Sequence, residues 1–184
     1  MRDTITVAKR LLGKVICHRT RGGKVLRARI VETEAYLGIG DAAAHSFGDR
    51  KTARTKSMYM DGGHSYVFFI YGMYHCLNVV TRTADHPEAV LIRAGEPVPS
   101  PSGLVRSKMP TNGPGKLCRY LELNRDHDGL ELWTKKSGLW IEDAPPIPNK
   151  KIAVKSRVGV DYAGEAALWP LRFYILDHPY VSKK

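Results

Sequence analysis

The 184-residue sequence has little of what marks a membrane-embedded, secreted or disordered chain. Its longest apolar run, Tyr66 to Tyr71, has the length of a strand, whereas a membrane span needs ~18 residues, so a span is excluded. No charged-then-apolar leader follows Met1, and the expectation is an intracellular protein, in the cytoplasm or nucleoid of a microbe or the nucleus of a eukaryote. Cysteine is scarce. Cys17, Cys76 and Cys118 lie about 40 to 60 residues apart and form no CxxC pair or Cys/His cluster, so neither disulfides nor structural zinc are expected. Acidic residues are the other shortage: 18 Asp and Glu stand against 29 Lys and Arg, a formal net charge of +11. Up to Arg29, nine basic residues face Asp3 alone. Such an imbalance favours a surface that meets a polyanion over a merely solvated one.

What is present reads as one folded domain, since 43% hydrophobic and 26% charged residues over this length can bury a real core. Thr4 to Leu12 spaces Ile5, Val7, Ala8, Leu11 and Leu12 along one helical face, and Gly13 follows where a helix would stop. Lys14–Arg19 and Lys24–Tyr36 alternate β-branched with charged residues around Arg21-Gly22-Gly23, which predicts a β-hairpin. Gly38 to Ser57 holds no sustained period and reads as loop and short helix near function. A second hairpin is predicted from Ser65–Tyr71 and Tyr74–Thr81 around Gly72-Met73, followed by a strand over Ala89–Ala94. The five prolines between Glu96 and Pro114 mark a loop that interrupts the domain. Gly115–Leu123 reads as helix, and the stretches around Leu130–Ile141 and Leu171–Ile175 as strands.

Two features could carry chemistry. The run Arg29-Ile30-Val31-Glu32-Thr33-Glu34-Ala35-Tyr36 places two carboxylates in a strand, where they are depleted. A period of two puts Ile30, Glu32, Glu34 and Tyr36 on one face, an acid beside an aromatic ring; a solvated strand face remains the competing reading. The second feature is the hairpin, where Tyr66, Phe68, Phe69, Tyr71, Met73 and Tyr74 crowd a tight turn. Most should be core, yet turns are exposed, so Tyr71 and Met73 could form an apolar wedge of the kind that unstacks a base step.

Taken in order, the motifs resemble the alkyladenine (3-methyladenine or methylpurine) DNA glycosylases over nearly the whole chain. They are Leu11-Leu12-Gly13-Lys14, the run from Arg29 to Tyr36, Ala44-His45-Ser46, Tyr71-Gly72-Met73-Tyr74, Leu77-Asn78, Leu91-Ile92-Arg93-Ala94, Gly113 to Cys118, Arg157-Val158-Gly159-Val160 and Pro170 to Tyr174. The resemblance implies a single α+β domain with a curved antiparallel sheet, surrounding helices and a protruding hairpin. It implies a monofunctional enzyme without metal or cofactor, acting as a monomer on double-stranded DNA that contains damaged purines. Bases of the 3-methyladenine, 7-methylguanine, hypoxanthine and ethenoadenine class would be flipped out of the duplex and released by hydrolysis of the N-glycosidic bond, leaving an abasic site. In that scheme Glu34 activates water with Arg93 nearby, Tyr36, His45 and Phe68 form the base pocket, and Asn78 discriminates against the guanine amino group. Tyr71, with Met73, fills the gap left by the flipped nucleotide.

Phe68 stands where vertebrate members carry tyrosine, which keeps a stacking face and loses a hydroxyl. Tyr74 is grouped with the DNA contacts, and Arg50, Arg54, Lys116 and Arg157 are expected on phosphates. The chemistry suits these residues: a carboxylate near C1′ stabilises an oxocarbenium-like sugar while accepting a proton from water. Two other readings compete. An architectural minor-groove protein would use the wedge and the charge but leave Glu34 without a purpose. A metal-dependent nuclease would need Glu32, Glu34 and Asp41 to converge.

Overall fold

The computed structural model describes residues 3–100, 103 and 109–183. Two helices, α1 (Thr4–Leu11) and α2 (Pro114–Tyr120), pack on an antiparallel sheet of eight strands, and short 3-10 turns fill the connections. This is the expected α+β class. Asp3 starts α1 by accepting from the Thr6 amide at 2.9 Å, a cap of about 1 kcal/mol.

The strands are β1 (Val15–Arg19), β2 (Val25–Tyr36), β3 (Ser65–Ile70), β4 (Tyr74–Val80), β5 (Ala89–Pro97), β6 (Leu139–Glu142), β7 (Ile152–Lys155) and β8 (Arg172–Ile175). They run in the order β3-β4-β5-β2-β1-β6, and β8 joins β7 to β2. The long β2 is the spine: its first half pairs with β1, Glu32 to Glu34 pair with β8, and β5 follows it from Ala28 to Tyr36. Both predicted hairpins are present. Of the stretch around Leu130–Ile141, however, only the part within β6 (Leu139–Glu142) is strand, with an isolated bridge from Glu131 to His64. β7 was not anticipated; four residues ending in two exposed positions give too little pattern to detect. Part of the proline-rich loop, 101–102 and 104–108, lies outside the described residues.

The sheet separates two environments. One face buries Ala28, Ile30, Ala35, Val67, Leu77, Val79, Val90 and Ile92 with Leu11 and Leu12 of the first helical segment and Leu117, Cys118 and Tyr120 of the second. At roughly 1.5–3 kcal/mol per buried large aliphatic or aromatic side chain, this layer supplies most of the drive to fold. The opposite face carries the unusual residues of β2 to β5.

The strict alternation predicted for β2 fails at one point. Ile30 pairs with Gly95 and Glu32 with Ala94, so Val31 is an extra residue on β2; Glu32 pairs with Ala94 and Thr33 with Ile92, so Arg93 is an extra residue on β5. These successive bulges reverse the phase. Ile30 therefore lies in the helix-facing core rather than beside Glu32, while Val31 joins Ala94 and Tyr174 in a separate cluster. Bulges re-aim side chains, and here they add an arginine to the face that already carries Glu32 and Glu34.

Candidate active site

On the face opposite the helices, register brings Tyr66 beside Asn78, Phe68 beside Cys76, Ile70 beside Tyr74, and Leu91 beside both Asn78 and Glu34. Of these, all but Glu34 line, together with Tyr36, His45 and Arg93, a cavity of about 470 Å³. That size is within the range of small-molecule sites, and a mostly aromatic lining with a few polar groups suits a flat heteroaromatic ligand.

Glu34 lies directly behind this wall with no exposed surface, which removes the solvated-face reading. Its Oε1 accepts from the Val158 amide at 2.8 Å, and its Oε2 accepts from the Tyr36 hydroxyl at 3.0 Å and Arg93 Nη1 at 3.3 Å. All three donors belong to residues that line the cavity, so the carboxylate is one hydrogen bond from it. Burial raises the Glu34 pKa, and Arg93, the Val158 amide and Tyr36 oppose that rise. Desolvation and then the neighbouring carboxylate push the Tyr36 phenol well above its usual range, so it remains a donor.

His45 is engaged at both ring nitrogens, Nδ1 with the Tyr66 hydroxyl at 2.8 Å and Nε2 with Arg54 Nη2 at 3.4 Å. Arginine cannot accept a hydrogen bond. Nε2 is therefore the acceptor, and the neutral ring carries its proton on Nδ1, facing Tyr66. Burial, reinforced by Arg54, lowers the His45 pKa to about 4. The imidazole meets the Phe68 ring edge-on, centroids 4.5 Å apart, and the Arg54 guanidinium lies over the same ring at 5.1 Å. Arg54, expected on phosphate, is exposed and also borders the pocket wall through these contacts. Asn78 is buried and donates to the Tyr66 carbonyl at 3.0 Å.

The rim is exposed where the hairpin turns. Tyr71 is 81% exposed and Met73 66%, and Tyr71 and Gly72 take φ of +54° and +66°. Two successive positive φ values belong to the primed turns that match strand twist, but the first is costly for a tyrosine. Strain of this kind, of order 1–3 kcal/mol, gathers at functional positions. Tyr71, Tyr74 and Lys116 all border the cavity, and Lys116 donates to Asn112 at 3.2 Å. Arg50 is exposed.

Arg157 corrects an expectation. It is not a surface cation: with its side chain wholly buried it pairs with Asp41, donates to the carbonyls of Ala35 and Ala166, and stacks on Tyr36 at 4.8 Å. Asp41 in turn accepts from the amides of Leu37 and Ala43. This pair fixes the loop after β2 and delivers Val158, the next residue, to Glu34. Asp41 is committed there and Glu32 to Arg172 and Arg93, so the convergence a nuclease would need is missing; among the described residues no group of three or more ligating side chains could hold a metal ion. Sequence reasoning passed over the Val158 amide, because a backbone donor leaves no mark on residue type, and over Tyr66 and Cys76 as pocket walls.

A buried carboxylate held by groups of an aromatic cavity wall, with an exposed aromatic hairpin at the cavity rim of a basic protein, forms an enzyme-like pocket shaped for a flat ligand. The comparisons agree. The methylpurine-DNA glycosylase family model matches residues 1–179. A Bdellovibrio bacteriovorus protein provisionally named 3-methyladenine DNA glycosylase is 62% identical over 183 residues, covering 99% of this chain and 95% of that protein. Proteins given the same provisional name in Clostridium novyi and Desulfitobacterium hafniense are 48% and 45% identical, each covering the whole of this chain and 95% of the relative. The chain belongs to the methylpurine-DNA glycosylase family, and is thereby a DNA glycosylase rather than an architectural DNA-binding protein.

Proposed function

We propose that this protein, as a single domain and a monomer in the cytoplasm or nucleoid, flips a damaged purine out of duplex DNA into the aromatic cavity and hydrolyses its N-glycosidic bond. The observation that carries the reading is the Glu34 carboxylate, held by Tyr36, Arg93 and Val158 directly behind a cavity whose rim bears Tyr71.

Water adds its oxygen to C1′, the bond between C1′ and the base nitrogen breaks with its electron pair passing to the base, and the water proton passes to Glu34. The anion also stabilises the oxocarbenium-like sugar. Its raised proton affinity makes it a better base than an exposed glutamate. An N-alkylated purine such as 3-methyladenine or 7-methylguanine is already cationic and leaves as a neutral molecule. The faces of Tyr36 and Phe68 attract such a cation. A neutral His45 adds no charge to oppose it. Hypoxanthine and ethenoadenine are the neutral, flat bases expected in the same slot, and Asn78, which lines the cavity, would discriminate against the guanine amino group. Opening a stacked base costs a few kcal/mol, least for one that pairs poorly.

Duplexes carrying each of these lesions, incubated with the protein in EDTA, test the proposal. Strand breakage that appears only after hot alkali is the expected result. Breakage before alkali, or no released base with any lesion, would overturn it.

A further inference from the structure

Glu32 lies two residues before Glu34 on the same face of β2, is wholly buried, does not reach the cavity, and has no part in the hydrolysis described above. A buried carboxylate costs several kcal/mol of desolvation unless it is fully partnered. Here the partners are ordered. Oε1 accepts from Arg172 Nη1 at 2.9 Å and lies 3.3 Å from Arg93 Nε, while Oε2 accepts from the Ser182 amide at 2.7 Å.

Arg93 Nε has no aligned hydrogen bond, so its link to Glu32 is an ion pair whose geometry leaves Nη1 for Glu34 and Nη2 for the Ser182 hydroxyl at 3.3 Å. Arg172 donates to the Ser156 and Lys183 carbonyls and so ties the C-terminal segment to β8. The charges alternate along Arg172, Glu32, Arg93 and Glu34, two of each sign, with no surplus left beside the reacting carboxylate.

We propose that Glu32 is a positioning residue that aims Arg93 at Glu34 and balances its charge, and that Arg172 and the Ser182 amide hold Glu32 in place for that role. The bulge at Arg93 makes this support necessary, because a bulged residue is outside the regular ladder and its direction is set by side-chain contacts. The inference rests on the proposed role of Glu34.

The groups that face Glu34 are Glu32 and Tyr36 from β2, Arg93 from β5, and the Val158 amide; Cys76 on β4 and Arg172 on β8 stand nearby, and Arg157 is stacked behind Tyr36. Of these, the Glu32 charge raises the proton affinity of Glu34 and Arg93 lowers it. Removing the Glu32 charge leaves two arginines against one carboxylate, so Glu34 becomes a weaker base.

Single-turnover excision and lesion-duplex affinity are measured against pH for the wild type, Glu32→Gln, Glu32→Asp and a chain lacking residues 182–184. For Glu32→Gln the expected result is a rate lowered about 10- to 100-fold, as misplacement near reacting groups produces, with affinity within a few-fold and the acidic limb moved to lower pH. Glu32→Asp keeps the charge and returns that limb to the wild-type pH. The shortened chain, which removes the Ser182 amide from Glu32 together with the Ser182 hydroxyl from Arg93 and the Lys183 carbonyl from Arg172 but keeps the buried Val181, loses rate and keeps affinity, and decides whether this network positions Arg93 if Glu32→Gln does not fold. A folded Glu32→Gln with the wild-type rate and limb, or a shortened chain with full rate, overturns the proposal. Near-normal turnover in Glu34→Gln would instead sink the function itself, which keeps the two failures apart.

Discussion

Arg157 and Asp41 hold each other through parallel hydrogen bonds, Nη2 to Oδ1 at 2.8 Å and Nη1 to Oδ2, with neither side chain exposed. The pair joins the loop after β2 to the segment that bears Val158, so the aromatic wall at Tyr36 and one of the three donors to Glu34 depend on it. Breaking one side of a buried pair strands the other charge, at a cost of about 3–5 kcal/mol. Arg157→Met should therefore lower the unfolding midpoint strongly while leaving the salt dependence of DNA affinity unchanged. A normal midpoint with a flatter salt profile would return Arg157 to the phosphate-contacting role.

Salt dependence itself should be steep. Each lysine or arginine on a phosphate contributes roughly −0.9 to the log–log slope. Lys116, exposed at the cavity rim, and Arg50 are the expected contributors. Replacing Lys116 with alanine should flatten the slope by about that amount with no loss of thermal stability, as read by affinity titrations between 50 and 200 mM salt. An unaltered slope removes it from the interface.

Glu34→Gln should abolish excision and keep lesion-duplex affinity within a few-fold, because the shape stays and the proton acceptor goes. The base form is populated above its pKa, and burial raises that pKa, so the acidic limb of the wild-type rate should lie above pH 4.5, the ordinary glutamate value. The same shift has a stability sign. A raised carboxylate pKa gives stability that is present below pH 4.5 and lost as pH rises through the folded-state value, so ionised Glu34 is a burden at neutral pH. The glutamine variant should unfold at pH 7 no earlier than the wild type.

Tyr71→Ser should weaken capture and excision of a lesion in duplex DNA, most for a lesion whose pair remains stable, and spare single-stranded substrate. The side chain is 81% exposed, so no cavity forms and the unfolding midpoint should stay within the equivalent of ~0.5 kcal/mol. Equal loss on both substrates would exclude a wedge.

His45 should make the fold acid-sensitive. Its pKa is lowered from 6.5 to about 4, chiefly by burial, so the protein keeps this contribution above pH 6.5 and loses it as pH falls toward 4. His18, His75, His127 and His178 are also lowered. The informative comparison is with His45→Asn, whose unfolding midpoint should fall less over that interval than that of the wild type. Parallel curves would assign the sensitivity to the other histidines.

Local pattern was enough for the two hairpins, the first helix, the basic surface, and the pairing of an acid with an aromatic on β2. Each of these is encoded within a few residues, by a period of two or 3.6 or by a turn signal. The family resemblance added Arg93, His45, Phe68 and Asn78, and the structure brings them to one cavity with Tyr36.

Tertiary structure alone decided the rest. The phase of β2 turns on bulges at Val31 and Arg93, which are relations between two strands and leave no periodic signature in either. Whether Arg157 meets phosphate or Asp41, and whether Glu32 is solvated or locked between two arginines, depends on partners 116 to 140 residues away in the chain. The residue types state only that a charge is present. Which charge it meets, and how far both are removed from water, is set when the sheet closes and the dielectric around them falls.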